Sequence, residues 1–306
     1  MNDLDRILDA ADAWRGLPMA IATVVSTWGS APRPRGSHML VTTDGRFEGS
    51  VSGGCVEGEI LAAAEDAIAG AGPRTLRFGV EDAAAWEVGL PCGGEIAVLV
   101  QPVGPGGFDA ALFDRIREAR AEGRNLAVGT DLTEGISREG AEDAQFVNSY
   151  PPPRRLLIIG AVQIAQSLAQ LAATLGIIPT VIDPRGRFLT EERFPGVERD
   201  DRWPDDAVAS RRPDAATAVV TLSHDTKIDD PALIAALASP AAYVAALGSR
   251  RSHTARLERL RAAGLSEADL GRIDGPAGLD IGALGPAEIA LSIASAMVAA
   301  FNGKRG

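Results

Sequence analysis

The sequence predicts a mixed α/β N-terminal domain followed by a doubly wound parallel-sheet domain. Three observations predict it. In the second half, short apolar runs alternate with amphipathic stretches of helical spacing, the pattern of strand–helix–strand units. The first half mixes a hairpin signal with helices. Between the halves, a polar stretch over 130–150 runs into Pro151-Pro-Pro153, a stiff linker. The boundary falls there, giving domains 1–150 and 151–306, and 306 residues suit two domains.

The first domain opens with Leu4, Ile7, Leu8, Ala11 and Trp14 spaced three or four apart, which predicts a helix ended by Gly16 and Pro18. The apolar run 19–25 predicts a buried strand. A second strand over 39–43 is followed by Asp44-Gly45, where glycine accepts the positive φ of a tight hairpin. A Gly-rich segment, Gly49-Ser-Val-Ser-Gly-Gly-Cys-Val-Glu-Gly58, leads into a helix with Ile60, Leu61, Ala64 and Ile68 on one face. Gly70-Ala-Gly-Pro73 stops it. Strands are predicted at 76–80, 96–100 and 126–129 and a helix at 108–120, while 130–150 reads as polar and irregular.

In the second domain strands are predicted at 155–160, 179–183, 216–221 and 243–247, and helices at 164–175, 231–238, 253–263 and 286–301. Strands separated by helices of that length imply right-handed crossovers and a parallel sheet covered on both faces.

Thirty Lys+Arg against 41 Asp+Glu leave a formal charge of −11, which argues against a nucleic-acid or anionic-lipid surface. No apolar run approaches the ~18 residues of a membrane span. The acidic amphipathic start lacks the layout of a secretory signal. With only Cys55 and Cys92, no disulfide framework supports the fold, and a cytoplasmic location is expected.

Two segments could carry chemistry. Leu156-Leu-Ile-Ile-Gly-Ala-Val-Gln-Ile-Ala165 matches the dinucleotide fingerprint G-x-G-x-x-G/A with Gly160 and Ala165, and Val162 stands where the second glycine should. Asp183, at a strand end, stands where an acid binds ribose hydroxyls, or else caps the turn into Pro184. The other segment is Ser50-Val-Ser-Gly-Gly-Cys55. Placed before a helix, it offers N–H groups of Ser52, Gly53 and Gly54 at the positive end of a helix dipole, suited to an anion such as phosphate. Cys55, near the N-cap, is set where a dipole favours a thiolate. Cys92 lies beside Gly93-Gly94, and two cysteines in Gly-rich turns point to a site rather than to core filler. No zinc spacing, H-E-x-x-H, G-x-S-x-G or P-loop lysine occurs. His38 and His253 read as surface or capping residues, and His224 falls at the carboxyl edge of the sheet. Arg33, Arg35, Arg185, Arg187, Arg250 and Arg251 fall in turns, where solvated charge is the first reading of each.

At these residues the sequence resembles a known family. Ala22-Thr-Val-Val-Ser-Thr-Trp-Gly-Ser-Ala-Pro-Arg-Pro-Arg-Gly36, Gly49-Ser-Val-Ser-Gly-Gly-Cys-Val-Glu-Gly58 and Leu90-Pro-Cys-Gly-Gly94 are similar to the N-terminal part of the XdhC/CoxI family. Leu247-Gly-Ser-Arg-Arg251 and Gly275-Pro-Ala-Gly-Leu-Asp-Ile-Gly282 are similar to its Rossmann domain. The resemblance implies a Rossmann-like C-terminal domain. It also implies a maturation factor, a xanthine dehydrogenase accessory protein. Such a protein binds molybdenum cofactor (molybdopterin), supports its sulfuration and delivers it to a molybdenum hydroxylase apo-enzyme. A cysteine desulfurase and a second copy of the chain are implied partners. On that reading Ser52, Gly53, Gly54, Cys55, Cys92, Gly93 and Gly94 bind the cofactor, with Cys55 as a molybdenum thiolate ligand. Gly160 and Asp183 would serve a nucleotide. Family members often carry Gly-x-Gly-His-Val at the βα turn, whereas Val162 and Gln163 stand here. The second reading is an NAD(P)-dependent oxidoreductase built on the Rossmann half.

Overall fold

A computed structural model describes residues 3–79, 94–140 and 143–304, which form two compact units that meet in sequence at Pro152 and Pro153. In the first unit, α1 (Asp3–Ala13) leads to β1 (Met19–Trp28), β2 (His38–Thr42) and β3 (Phe47–Gly49). Then follow α2 (Glu57–Asp66), β4 (Arg74–Phe78), β5 (Glu95–Pro102) and α3 (Ala111–Ala121). Strands β1 to β5 make an antiparallel sheet in the order β3-β2-β1-β5-β4. Residues of β1 alternate between two cores, which explains why the run carries no polar face. Ala20, Ala22 and Val24 pack with Ile60, Ala63 and Ala64 of α2, whereas Met19 and Ile21 pack with Ile7 and Leu8 of α1 and with Phe113 and Ile116 of α3. Each such Leu, Ile or Phe contributes about 1.5–3 kcal/mol through burial. The predicted strand 76–80 begins two residues earlier, and Val80 lies outside the described residues.

The stretch 130–150 is not irregular. Strands β6 (Leu126–Asp131), β7 (Ile136–Glu139) and β8 (Phe146–Tyr150) form a three-stranded antiparallel sheet. Its two buried hydroxyls, those of Thr130 and Ser137, are satisfied. Gln101 Nε2 donates to the Gly135 carbonyl at 2.7 Å and to Ser137 Oγ at 3.0 Å, and the Thr130 and Ser137 hydroxyls lie 2.8 Å apart. A core held by hydrogen bonds leaves no apolar alternation to read.

The second unit runs β9 (Arg155–Ile159), α4 (Gln163–Thr174), β10 (Ile178–Ile182), β11 (Glu198–Asp200), α5 (Pro204–Ser210), β12 (Thr217–Thr221) and α6 (Thr226–Leu237). It continues through β13 (Tyr243–Ala246), α7 (Arg250–Ala262), α8 (Glu267–Leu270), β14 (Ile273–Asp274) and α9 (Pro286–Phe301). The sheet is parallel throughout, in the order β11-β10-β9-β12-β13-β14, the Rossmann arrangement. Leu156 and Ile158 face α4 and α9, and Leu157 and Ile159 face α5 and α6. Helix α6 starts five residues before the predicted Pro231, because Asp225 caps it by accepting from the Lys227 N–H at 2.9 Å. Pro231 then sits inside the helix.

Strand order reverses between β9 and β12, so the chain leaves the sheet on opposite sides there, opening a crevice. Gly160 follows β9 with φ +101°, and a Cβ on it would stand 2.8 Å from the Ser223 backbone nitrogen after β12. Both the left-handed backbone and the close approach demand glycine. Gly160→Ala is expected to destabilise the protein by about 2–4 kcal/mol through backbone strain and overpacking. Urea unfolding measures it, and a change under about 0.5 kcal/mol would contradict this account.

Candidate functional site

The Gly-rich segment forms a closed loop ahead of α2, and Glu57, the first helical residue, holds it. The Glu57 carboxylate accepts from the backbone N–H groups of Ser52 at 3.0 Å, Gly54 at 2.9 Å and Val56 at 3.2 Å. It also accepts from the Ser50 hydroxyl at 2.6 Å and from the Ser52 hydroxyl. Ser52, itself buried, accepts in turn from the N–H groups of Cys55 at 2.9 Å and Val56 at 3.0 Å, and Ser50 accepts from the Gly53 N–H at 2.8 Å. Gly53 and Gly54 both have positive φ, +79° and +118°, a pair that side chains resist. Burial works to raise the Glu57 pKa, but the donors from Ser50 and Ser52 outweigh it and hold the value at about 2.

The Ser52 and Gly54 donors expected to hold an external anion are thus taken by an internal one and that of Gly53 by Ser50, so Ser52, Gly53 and Gly54 shape the loop. What remains free is the side chain of Cys55, which is exposed just before the N-cap residue Val56. Gly94 packs at the start of β5, where a Cβ would stand 2.7 Å from the Ser30 carbonyl oxygen and 2.9 Å from that of Trp28. This ties it to the block 22–36. Cys92 and Gly93 lie outside the described residues. Among those residues no group of three or more His, Cys, Asp or Glu side chains could hold a metal ion.

Beside the loop is a polar cluster that sequence reasoning missed. His38 is not a surface residue. Its Nδ1 lies 2.9 Å from Thr23 Oγ1, and its Nε2 lies 2.9 Å from the Tyr150 hydroxyl and 3.2 Å from Asn148 Nδ2. The neutral ring with its proton on Nδ1 satisfies all three partners, and burial pushes the pKa down to about 4. The His38 carbonyl accepts from the Ser50 N–H at 3.1 Å and closely abuts Gly49, so this cluster seats the loop's first residues. Arg33 donates from Nε to the Ser50 carbonyl at 3.3 Å and pairs with Asp3 at 2.6 Å, and Arg35 stacks on Phe146 at 4.6 Å. Arg33 is thus not a free solvated charge, whereas Arg35 is exposed and also donates to the Val25 carbonyl at 3.2 Å. A cavity of about 300 Å³ lies here, lined by Leu4, Arg33, His38, Ser50, Asn148 and Tyr150 among others. The signal for Glu57 was present in the sequence as an acid in the first turn of a helix.

In the second unit, Asp183 is fully buried. Its carboxylate accepts from the Ala161 N–H at 2.8 Å and from the Arg185 N–H at 2.9 Å, and it pairs with the Arg185 guanidinium at 2.7 Å. Both oxygens are spent on the turn that Gly160 opens, so the acid caps this turn rather than facing a ribose. Val162, as the N-cap of α4, packs onto the core instead of baring its backbone. His224 is exposed at the carboxyl edge with φ +60°, and its N–H donates to buried Asp229 at 3.1 Å. His253 does not cap α7, since Ser249 and Ser252 do, and its Nδ1 is buried without a partner.

Both units match known proteins. Residues 13–79 match the XdhC and CoxI family, and residues 156–297 match the XdhC Rossmann domain. The molybdenum cofactor insertion chaperone PaoD of Escherichia coli (strain K12) is 31% identical over 286 residues, covering 91% of this chain and 82% of that protein. The chain belongs to the XdhC and CoxI family. A probable xanthine dehydrogenase subunit of Bacillus subtilis (strain 168) is 25% identical over 313 residues, covering 91% and 92% of the two chains. The crystal structure of a xanthine dehydrogenase from Bacillus halodurans superposes with a TM-score of 0.80 at 25% identity, over 100% of this chain and 97% of that one. The loop before α2 lies within the family's N-terminal match and the Gly160 turn within its Rossmann match.

Two half-buried groups, His38 beside the loop and Glu57 at its end, separate by pH. The folded His38 value of about 4 lies below the ordinary 6.5, so the unfolded ring binds its proton first and stability declines as pH falls from 6.5 toward 4. The Glu57 value of about 2 lies below the ordinary 4.5, so its contribution is full above pH 4.5 and is lost as pH falls toward 2. His38→Gln is expected to flatten the upper decline in urea midpoints, and Glu57→Gln the lower one. A Glu57→Gln profile as steep as wild type below pH 4.5 would sink the account of the loop. At pH 7, Glu57→Ala is expected to cost about 2 kcal/mol, by stranding donors to a charged acceptor.

Proposed function

We propose that this protein binds molybdenum cofactor, supports its sulfuration and delivers it to the apo-form of a molybdenum hydroxylase of the xanthine or carbon monoxide dehydrogenase type. The observation that carries this reading is the 31% identity, over nearly the whole chain, to a molybdenum cofactor insertion chaperone. The loop geometry supplies a means. The cofactor is cargo, and a chaperone must hold it without keeping it. A single exposed cysteine sulfur is a soft ligand suited to molybdenum, and one protein ligand exchanges more readily than a cage of several. The loop fixes where Cys55 stands, because its backbone donors are already satisfied by Glu57 and the two serines. Ser52, Gly53, Gly54 and Gly94 are then supports of the thiol, and Cys92 and Gly93 are proposed to bind the cofactor. A cysteine desulfurase would supply the sulfur, a second copy of the chain would complete the working form, and a reducing cytoplasm would keep Cys55 a thiol.

An NAD(P)-dependent oxidoreductase has less support. The acid that would hold an NAD ribose is buried in the turn, and Val162 stands where the fingerprint has its second glycine.

Protein purified after co-expression with cofactor biosynthesis is expected to retain molybdenum and pterin, and Cys55→Ser to retain about a tenth as much or less with folding unchanged. Equal retention by Cys55→Ser would remove Cys55 from the site. Wild-type protein without pterin would overturn the proposed function itself.

A further inference from the structure

One end of the five-stranded sheet in the first unit carries a cavity that the loop around Cys55 does not explain. Its volume is about 420 Å³, and Ser26, Trp28, Arg77, Glu95 and Ala97 are among the residues that line it. That is the size of a small-molecule site. A bulge in β1 creates it. Up to Val24, which pairs with Val98, alternate residues of β1 join the core under α2. The register then shifts, so that Ser26 pairs with Ala97 and Trp28 with Glu95. Ala97 packs with Val25, Leu99 and Phe146, whereas Ile96 and Val98 belong to the α2 core on the other face. An unbulged strand would carry Ser26 and Trp28 into the α2 core, and the extra residue turns them over to the opposite face.

Trp28 is 68% exposed and packs in neither of the cores that flank this end of the sheet. It offers a flat apolar face beside the cavity. Glu95 stands opposite it on β5, and a Cβ on Gly79 would come within 2.7 Å of Glu95 Cγ, so glycine makes room for this acid. Arg77 on β4 pairs with Ala97, which puts it diagonally across from Glu95 on the same face. Both side chains are exposed, and neither has an ion-pair or hydrogen-bond partner among the described residues. An indole face beside a free acid and a free base complements a flat heterocycle whose edge runs donor, donor, acceptor. The acid accepts from the two N–H groups and the guanidinium donates to the carbonyl. The 2-amino-4-oxo edge of a pterin is such an edge. We propose that this cavity seats the pterin of the cofactor, stacked on Trp28, with Glu95 accepting from the 2-amino group and N3–H and Arg77 donating to the 4-oxo oxygen. The identity of the heterocycle rests on the proposed function, and the cavity adds a ring seat to the sulfur ligand at Cys55.

Fluorescence titration of the full chain with pterin, lumazine and guanosine tests this, lumazine carrying a carbonyl oxygen where pterin carries its 2-amino group. Wild type is expected to bind pterin about tenfold or more tighter than lumazine, because a site built for an N–H rejects the analogue that lacks it. Trp28→Ala should weaken pterin binding about tenfold through lost stacking. Glu95→Gln is the sharper test. An amide can pair with both the N–H and the carbonyl of lumazine, so the preference for pterin should vanish or reverse, which a merely structural role for Glu95 would not produce. Both side chains are exposed, so both variants should unfold at the wild-type urea midpoint. Equal binding of pterin and lumazine by wild type, a preference unchanged in Glu95→Gln, or no binding at the solubility limit of pterin would overturn the site. Tighter binding of guanosine than of pterin would give the cavity to a guanine nucleotide and overturn it as well. The proposed function fails separately. Co-expressed wild type without pterin would overturn that function, whereas wild type and both variants retaining equal pterin would overturn this cavity alone.

Discussion

Backbone N–H groups in tight loops must find acceptors, and in this protein carboxylates supply them at each functional edge. Glu57 gathers three N–H groups of the Gly-rich loop. Asp183 takes those of Ala161 and Arg185, and Asp229 takes those of Ser223 and His224. A carboxylate accepts several donors at once and makes stronger bonds to them than a neutral oxygen does. The acidic balance of the chain is therefore partly structural. Its acids are the anions that its loops are built around.

This arrangement governs what each loop can offer. A loop whose donors are open can wrap an incoming phosphate, whereas a loop closed on its own carboxylate has a fixed shape and presents side chains instead. Before α2 the presented group is the Cys55 thiol, with His38, Thr23 and Tyr150 seating the loop's first residues. After β10 the same logic turns Asp183 inward, onto the Ala161 N–H of the turn after β9 and the Arg185 guanidinium. Acids in Gly-rich turns are commonly read as ligands for sugars or metals. Here they serve as internal caps, and the chemistry passes to their neighbours.

Much of the fold was legible because burial on one or both faces imposes a period. The spacing of Ile7, Leu8 and Ala11 marks α1, and the continuous run after Met19 marks a strand buried on both faces. Where burial is polar the signal vanishes. Thr130 and Ser137 are as buried as neighbouring valines, yet nothing in their type distinguishes a satisfied core hydroxyl from a loop residue. Strands β11 and β14 span only three and two residues, too short for any period. The same asymmetry divides the site. Gly53-Gly54 could be read directly, since paired glycines announce positive φ. His38 could not, because its burial depends on Tyr150 and Asn148, more than a hundred residues away.

The resemblance and the physics reach different parts of the problem. Family membership rests on matches that span both units, and it bears on what the chain does. It says nothing of why the dinucleotide fingerprint is altered. The packing does. Val162 packs, half-buried, against the core with Ile164 and Leu168, while Gly160 is kept by its contact with Ser223. The turn has kept the residue that the fold requires and replaced the one that only a pyrophosphate requires.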